Sequence, residues 1–453
     1  MRIPYKNIFD FFVIVLGICI LGSVGCDNGS GSGSSQVVGN APGERQYIIM
    51  IVVDTARADH MSVNGYLRNT TPNLDEFSQN AYVFGNATAP SPWTIPSFVS
   101  LMTAMHAFNH NQNTFPDGTP VNHTMLPQLL GLSGYETTFI NSNVGLQSYQ
   151  YVFDEYYDYS YNTGNNADRL SIDKGIEWLS NEANWNNDFF LLIWLFSPHW
   201  PYSTQNGYLG KFVLDDLYMN SPPLDLVFDC NDTGMIYPND LSPLLVSILG
   251  FPPAPYECYQ DYRLYVAAYD AEINYVDAQV GRLFEFLRSG EHFDDTMIWF
   301  TADHGENMVD HETYFNHGDN LHRSLIHVPL LLKLSNQHGS MVIDTPIRSI
   351  DILPTVFDVL GLAPGEVDGK SLMPFVNMSP VDTFERPNIS YNLLLETMED
   401  VVSVTQEEYK LIRTPDGDEL YDLIDDPDEQ NNIATSYPDI VEDLSDYLDL
   451  FYP

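Results

Sequence analysis

Three short motifs carry side chains that could activate an ester. Asp54 directly follows one apolar run, and the pair Asp303-His304 directly follows another. Two carboxylates and an imidazole at strand ends on one edge of a sheet are suitable ligands for a divalent cation. Thr94 would complete a set of four ligands. A bound cation would lower the pKa of the Thr94 hydroxyl group and neutralise charge that develops on the ester oxygens. An aspartate after a strand is more often a cap or turn residue, so neither carboxylate identifies a site alone.

Thr94 lies in the stretch SPWTIPSF, which precedes an apolar run typical of a helix. Pro96 fits the first turn of a helix, where its missing N–H would have no partner, so we expect Thr94 just before the helix begins. Free backbone N–H groups and the positive end of the helix dipole stabilise an anion there. This position suits either a helix cap or a nucleophile that attacks an anionic ester, and position alone favours the cap.

Two further histidines lie in loops that could face the same edge. His199 lies in SPHWPY, directly after the apolar run 189–196, and His317 lies in the short loop FNHG. Either imidazole could bind an ester oxygen or protonate a leaving group. A histidine considered by itself is more commonly a surface or core residue, so both assignments depend on the neighbouring motifs.

Alternating strands and helices must position these side chains. Runs rich in Ile and Val predict strands buried on both faces at residues 46–53, 136–141, 189–196, 296–301 and 327–334. Helical patterns lie at residues 71–80, 95–104, 125–132, 168–179 and 262–288. The alternation predicts an α/β fold with a mostly parallel sheet and helices on both faces, and ligands bind beyond the carboxyl ends of such strands.

The pattern changes near the end of the chain. Short alternating segments at 388–395 and 401–413 precede a helical pattern at 438–450. They predict a small C-terminal α+β subdomain with an antiparallel sheet and one helix. We therefore expect a catalytic domain over residues 46–380 and this subdomain over residues 381–453.

Length and charge exclude some classes of protein. The chain has 453 residues, and 44% of them are hydrophobic, which is enough for one large core or two domains. Lys and Arg number 18 against 62 Asp and Glu, a formal net charge of −44. This charge opposes binding to nucleic acid and to an anionic membrane surface.

The first residues have the layout of an export signal. Arg2 and Lys6 precede the apolar run 11–21, which is too short for a stable membrane span. Residues 1–25 resemble a bacterial lipoprotein signal with Cys26 as the lipidated residue, although Ser23 replaces the usual aliphatic residue. Residues 26–45 form a Gly- and Ser-rich tether. We expect an exported, lipid-anchored protein in the periplasm or at the cell surface; an ordinary secretory signal or an uncleaved anchor is the alternative.

Two cysteines remain in the exported chain. Cys230 and Cys258 both lie in the irregular segment 203–261. A pair of cysteines in an exported protein predicts a disulfide, and two unrelated buried thiols are the alternative. The segment itself either shapes access to the site or is a surface excursion.

From about residue 46 onward, the chain resembles the sulfatase family of the alkaline phosphatase superfamily. The similarity extends along the chain in motifs that keep one order, namely VDTARADH (53–60), NTTPNLD (69–75), PHWPY (198–202), YDAEI (269–273), TADHGE (301–306), VPL (328–330), DILPT (351–355), DGKSL (368–372), KLI (410–412), ELYDL (419–423) and DPDE (426–429). The resemblance implies an ester hydrolase with an alkaline-phosphatase-like core and one divalent cation, often calcium.

The chain departs from the usual sulfatase pattern at the nucleophile and around it. Thr94 stands where those enzymes carry a Cys or Ser that is oxidised to formylglycine, and Phe98 stands where they carry Arg. Formylglycine is excluded here, because the methyl group of threonine limits the same oxidation to a ketone. Thr55 replaces the second residue of an Asp-Asp pair. Asn143 lies where many sulfatases carry a sulfate-binding Lys and His, which makes it a candidate substrate ligand.

These departures are similar to the pattern of threonine-nucleophile relatives, such as nucleotide pyrophosphatases and phosphoethanolamine transferases, which form a phosphothreonine. His304 in place of an amide shifts the expected metal towards zinc or manganese, and calcium remains open. A second metal near His199, His311 or His317 also remains open.

The expected function is metal-dependent hydrolysis of sulfate or phosphate esters through Thr94. Phosphate is favoured, because a sulfothreonine lacks the hydrate-elimination route that formylglycine provides. The alternatives are a phosphoryl transferase to a lipid or glycan and a non-catalytic anion-binding lipoprotein.

Overall fold

The computed structural model describes residues 45–452 apart from 111, 113–120, 122, 163–164, 203–205, 221–260, 380, 382–385 and 395–398. The predictions of an export signal, a lipid on Cys26, a tether up to residue 44 and a disulfide between Cys230 and Cys258 all lie outside the described residues. The predicted boundary between residues 380 and 381 stays a prediction. Within the described ranges, no helix combines the length and the apolar composition needed to cross a bilayer.

The strands form a large sheet and two smaller ones. In chain order the strands are β1 (Tyr47–Val53), β2 (Tyr82–Phe84), β3 (Ala87–Thr88), β4 (Glu136–Asn141), β5 (Glu155–Asp158), β6 (Phe189–Leu195), β7 (Thr296–Ala302), β8 (His327–Val328), β9 (Leu330–Lys333), β10 (Met341–Ile343), β11 (Ile347–Arg348), β12 (Asn388–Leu394), β13 (Glu399–Gln406), β14 (Tyr409–Thr414) and β15 (Gly417–Asp422). The large sheet has eight strands in the order β10-β2-β9-β7-β1-β6-β4-β5.

The large sheet is mostly parallel, as the sequence predicts. β1 pairs in parallel with both β6 and β7, and β4 pairs in parallel with β5 and β6. β9 is antiparallel to β2 and β7. Residues 48–53 of β1 have no exposed surface, because a strand between two neighbours and two layers of helices is buried on both faces.

Helices flank the large sheet, while the last helix of the chain packs against β13 and β14. They are α1 (Pro72–Phe77), α2 (Thr94–Thr103), α3 (Ala107–His110), α4 (Leu126–Leu132), α5 (Asn165–Leu179), α6 (Asn206–Phe212), α7 (Asp216–Asn220), α8 (Tyr262–Ser289), α9 (Arg323–Ile326), α10 (Ile352–Val359), α11 (Met373–Val376) and α12 (Pro438–Leu448). The long α8 packs against α1, α5 and α6, while α2 packs against α3, α4 and α10. The fold is therefore the predicted α/β arrangement.

The carboxyl ends of four adjacent strands lie in register. Val53 at the end of β1 is level with Leu195 of β6 and with Ala302 of β7. Asn141 at the end of β4 is level with Trp194 of β6. Residues that directly follow these strands are consequently brought to one edge of the sheet, where ligands bind in open α/β folds.

Two predicted segments are wrong in detail. The apolar run 327–334 is divided between β8, which pairs with β3 in the small sheet, and β9 in the large sheet. Pro329 lies between them and has no N–H group for a continuous ladder. The segment 401–413 is a hairpin of β13 and β14, in which Glu407 adopts a positive φ of 51°. β15 then completes a four-stranded antiparallel sheet with the order β12-β13-β14-β15, which confirms the predicted C-terminal subdomain with α12.

Candidate active site

Asp54 and Asp303 lie at the ends of two adjacent strands, and both carboxylates point towards the His304 imidazole. Asp54 follows β1, Asp303 follows β7, and neither side chain has exposed surface. The Thr55 N–H and the His304 N–H donate to Asp303 Oδ1 at 3.1 and 2.9 Å. The Asn143 amide donates to Asp54 Oδ2. Among the described residues, no hydrogen-bond donor reaches the second oxygens, Asp54 Oδ1 and Asp303 Oδ2.

The imidazole of His304 lies against these two free oxygens. His304 Nε2 is 3.4 Å from Asp303 Oδ2 and 3.8 Å from Asp54 Oδ1. His304 Nδ1 is 2.8 Å from the Gly305 carbonyl oxygen. Because a carbonyl oxygen can only accept, Nδ1 carries the proton and Nε2 of the neutral ring presents a lone pair to the carboxylates.

The electrostatics of Asp54, Asp303 and His304 favour binding of a positive charge. Burial, followed by the neighbouring Asp303, raises the pKa of Asp54 to about 7. Burial likewise raises the pKa of Asp303 to about 7, and it lowers the pKa of His304 well below its usual range. One ligand atom from each of these residues lies within 4.8 Å of the others. Two buried carboxylate oxygens and an imidazole lone pair with no donor fit a divalent cation.

Thr94 brings its hydroxyl group to the same cluster. Thr94 is the first residue of α2 and Trp93 is the N-cap residue, so the expected position of Thr94 just before the helix is wrong by one residue. The Thr94 Oγ1 lies 3.4 Å from His304 Nε2. Thr94 is 8% exposed, whereas the three candidate metal ligands are fully buried, so Thr94 is the residue of these four that reaches the surface.

His199 and His317 lie side by side next to His304. The ring centres of His199 and His317 are 4.8 Å apart, and those of His317 and His304 are 4.7 Å apart. His199 Nδ1 contacts the Trp200 carbonyl oxygen, so its Nε2 is the nitrogen left for a substrate. The structure thus brings together all three predicted histidines.

Glu306 was not identified from the sequence as a site residue, yet it connects the loops that carry both outer histidines. Its Oε1 is 2.8 Å from His317 Nδ1, and its Oε2 accepts a hydrogen bond from the Trp200 N–H at 3.1 Å. Glu306 has no exposed surface. Although burial acts to lower it, the charge of Glu306 raises the pKa of His317 above its usual value. The only sequence signal for this role is the position of Glu306 just after the Asp303-His304 pair.

Asn143 lies inside the cluster rather than at its rim. Its Nδ2 donates to Asp54, and its Oδ1 accepts from the Gly145 N–H at 2.7 Å. Both ends of the amide are therefore engaged by the protein. Its predicted contact with substrate stays a prediction, and the contact with Asp54 is an orienting one.

A second layer of contacts fixes the loop after β1. Thr55 has a positive φ of 55°. The Tyr269 hydroxyl group, from α8, donates to the Thr55 carbonyl at 2.6 Å and accepts from the Arg57 N–H at 2.9 Å. The Arg57 guanidinium then donates to the Glu306 carbonyl at 3.0 Å and to Asp310 at 2.7 Å. These contacts hold the loop after β1 against the loop after β7.

Comparison with known proteins adds family information to this geometry. The family model described as Sulfatase matches residues 46–362. A second model, described as N-sulphoglucosamine sulphohydrolase, C-terminal, matches residues 312–450. The first covers well over half of the chain, and the two overlap across the loop that carries His317.

Two curated relatives are each 25% identical to the chain. Arylsulfatase K of Mus musculus aligns over 315 residues, or 62% of this chain and 52% of the relative. Delta 4,5-hexuronate-2-O-sulfatase of Bacteroides thetaiotaomicron aligns over 431 residues, or 86% of this chain and 85% of the relative. The chain thus spans about half the length of arylsulfatase K.

Solved structures share the fold. A protein solved in complex with its substrate D-glucosamine-2-N,6-O-disulfate has a TM-score of 0.73 and 20% identity, covering 90% of this chain and 97% of that one. The phosphonate monoester hydrolase of Agrobacterium radiobacter has a TM-score of 0.68 and 20% identity, covering 90% and 96%.

Proposed function

Because the chain belongs to the sulfatase family, we propose that it hydrolyses sulfate or phosphate esters with Thr94 as nucleophile and one divalent cation as cofactor. The cation would be held by Asp54, Asp303 and His304, with the Thr94 hydroxyl group as the fourth ligand. The observation that carries the proposal is the contact of Thr94 Oγ1 with His304 Nε2 at 3.4 Å, beside two buried carboxylate oxygens that have no hydrogen-bond partner among the described residues.

The donor set suits the cofactor. Two carboxylate oxygens and one imidazole nitrogen are ligands that zinc and manganese accept, and calcium accepts the oxygens. When bound, the cation supplies Lewis-acid polarisation of the ester and stabilises the deprotonated hydroxyl group. The Asn143 amide and the Gly305 carbonyl hold two of the ligands in orientation, as partners of metal ligands commonly do.

The reaction that these residues support is a displacement in two steps. Thr94 Oγ1 forms a bond to phosphorus or sulfur and loses its proton to solvent, while the bond to the leaving alcohol oxygen breaks. His199 or His317 donates a proton to that oxygen. A water molecule then attacks the threonine ester and gives a proton to that histidine, and the bond to Thr94 Oγ1 breaks as Thr94 leaves as an alkoxide that takes up a proton from solvent.

The substrate class follows from two considerations that favour different esters. The names of the curated relatives describe sulfatases, and one neighbour was solved with a disulfated glucosamine, so sulfated saccharides are the first natural esters to test. A phosphate ester of threonine is hydrolysed more readily than a sulfate ester of threonine. Threonine cannot form the hydrate through which formylglycine eliminates sulfate. We therefore expect measurable turnover of phosphate esters alongside any sulfatase activity.

The experiment measures the turnover of 4-nitrophenyl sulfate, 4-nitrophenyl phosphate and 4-nitrophenyl phenylphosphonate. The unaltered protein, Thr94→Ala and Thr94→Ser are compared on each ester. Thr103→Ala is the matched control, since Thr103 lies in the same helix and donates to the Val99 carbonyl at 2.7 Å, away from the ligands. We expect Thr94→Ala to lose turnover and the Thr103 variant to keep it. Acid quenching and peptide mass spectrometry should find the phosphate or sulfate group on Thr94.

Equal turnover by Thr94→Ala and the unaltered protein would overturn the nucleophile. Cation binding without turnover of any ester would instead support the non-catalytic, anion-binding alternative. Product analysis with and without candidate acceptor alcohols distinguishes hydrolysis from transfer.

We also propose that the protein is exported and anchored through a lipid on Cys26. The support is the charged, apolar and Ser-Val-Gly-Cys layout of residues 1–26. Expression of the full chain and of Cys26→Ser, followed by detergent partitioning and mass analysis of the first peptide, tests this. A water-soluble mature protein that begins at another residue would exclude the lipid anchor.

A further inference from the structure

A second group of histidine and carboxylate side chains lies apart from the Asp54 cluster. His311 lies in the short 3-10 segment Asp310–Glu312, His322 precedes α9, and Glu429 follows β15. One ligand atom from each lies within 4.8 Å of the others. The imidazole rings of His311 and His322 are stacked with their centres 3.5 Å apart.

His322 carries the strongest indication of a ligand. It is 8% exposed, and its Nδ1 is buried with no hydrogen-bond partner in the described part of the chain. Its Nε2 is 3.3 Å from Glu419 Oε2 and 3.3 Å from the Tyr421 hydroxyl group. A proton on Nε2 satisfies the Glu419 carboxylate and leaves a lone pair on Nδ1. A carboxylate, a histidine and a metal commonly occur in this order.

Glu429 supplies the third donor. It is 1% exposed. Its Oε1 pairs with Lys410 Nζ at 2.7 Å, and its Oε2 accepts the Arg323 N–H at 2.7 Å. Each oxygen retains a second lone pair. The carboxylates of Glu419 and Glu429 offset the positive charges of Lys410 and Arg323, so the ion would be held by the donor lone pairs of the group.

We propose that His311, His322 and Glu429 bind a second divalent cation of the zinc class. Two imidazole nitrogens and one carboxylate oxygen are a donor set that zinc prefers over calcium. The observed spacing of up to 4.8 Å is wider than ligands around one zinc ion. Binding therefore requires the partly buried His311 to turn towards the two buried ligands.

The position of this site gives the cation a structural task. His311 and His322 lie at the two ends of the loop that carries His317, and Glu429 belongs to the chain after β15. A bound ion would close this loop and fasten it to the C-terminal subdomain. The proposal does not depend on the ester-hydrolase function, because the ion would be held by residues other than Asp54, Asp303 and His304.

The test counts zinc ions on the full chain. Metal-stripped protein is titrated with zinc in an Asp54→Asn, Asp303→Asn background, which removes the first candidate site, and bound zinc is measured after gel filtration. We expect one equivalent in this background and none after His311→Ala. His338→Ala is the matched control, since His338 is an exposed histidine outside the group, and it should keep the full equivalent.

A positioning variant adds a finer measurement. Glu419→Gln should weaken zinc binding by about 10- to 100-fold while the equivalent is still reached at high zinc, as expected for a partner that orients a ligand. Zinc should also slow hydrogen exchange over residues 311–322 in the background protein and not in its His311→Ala form. These readouts do not use enzyme activity.

Three results would overturn the proposal. They are absence of zinc from the background protein, unchanged binding after His311→Ala, and an equal loss after His338→Ala. His322→Ala should also abolish zinc binding. If that variant fails to fold, the His311→Ala variant still decides the question alone, because His311 is only partly buried. Full ester turnover by the Asp54→Asn, Asp303→Asn background, with this zinc equivalent intact, would contradict the proposed function's metal requirement and not the second site.

Discussion

The carboxylate of Glu306 holds the imidazole of His317 through Nδ1 at a distance of 2.8 Å. The other carboxylate oxygen accepts the backbone N–H that follows His199. One buried side chain thus connects the two loops that carry His199 and His317. Such a contact fixes the tautomer and the orientation of a proton donor before the ester binds.

Replacing Glu306 by Gln should therefore lower kcat more than it changes KM. We expect kcat for the preferred ester to fall by about 10- to 100-fold, since an oriented acid is worth at least that much. Steady-state kinetics measure the effect. Glu285→Gln, on the exposed face of α8, should leave both constants unchanged, and a change in KM alone would argue against an orienting role.

The Asp54 carboxylate predicts a trade between stability and metal binding. Without a cation, Asp54 and Asp303 are two buried carboxylates beside each other, and burial raises the pKa of both to about 7. At pH 8, Asp54→Asn should stabilise the metal-free protein by roughly 1 to 3 kcal/mol, because it removes one buried charge and keeps an oxygen for Asn143.

Thermal unfolding with and without added zinc or calcium measures this trade. Saturating metal should raise the Tm of the unaltered protein and have a much smaller effect on Asp54→Asn. A metal-free variant that is less stable than the metal-free unaltered protein would contradict the charge-repulsion argument.

The central sheet and the positions of the Asp54 and Asp303 carboxylates could be predicted from the sequence. Parallel strands that are buried on both faces have continuous apolar runs, and the residue after such a run must lie at the edge where ligands bind. Asp54 and Asp303 satisfy both conditions, and the structure has them side by side. The predicted run 136–141 also coincides with β4.

Contacts made by loop residues could not be predicted in this way. The Glu306 to His317 bond and the Asn143 to Asp54 bond join residues whose separation has no helical or strand period. Their geometry depends on turns, such as the positive φ at Thr55, that sequence patterns do not determine. The pairing of His311 with His322 likewise depends on how the loop between them closes.

Gly305 should tolerate no side chain. A Cβ atom at this position would lie 1.9 Å from the Ser324 carbonyl oxygen, which is backbone and cannot move aside. Gly305→Ala should destabilise the protein by at least about 2 kcal/mol and displace His304, whose ring is held by the Gly305 carbonyl. Denaturant unfolding and turnover together measure both effects.

Gly131→Ala is the control for that substitution. Gly131 lies in α4, and a Cβ atom there would meet nothing within 4 Å. Alanine should be neutral or stabilising by up to about 1 kcal/mol at this helical position. Similar losses for both variants would show that the close approach to Ser324 is not the cause.

Asp277 links the long helix α8 to the start of α1 and predicts a pH dependence of stability. Its carboxylate accepts the backbone N–H groups of Asn73 and Leu74 at 3.0 and 2.9 Å. Burial raises its pKa from 3.8 to about 6 in the folded protein, although these hydrogen bonds oppose the shift. The folded state therefore binds this proton more tightly than the unfolded state does, and the resulting stabilisation is lost as the pH rises through 6.

Comparison with Asp277→Asn isolates this proton from the many other acidic groups. The difference in free energy of unfolding between the unaltered protein and the variant should fall by about 1 to 1.5 kcal/mol between pH 5 and pH 8, because the ionised carboxylate becomes a buried charge. Urea unfolding at several pH values measures the difference. Asp446→Asn, at an exposed position of α12, should give a difference that does not vary with pH. A difference for Asp277→Asn that rises with pH would mean that the hydrogen bonds to α1 outweigh the cost of burying the charge.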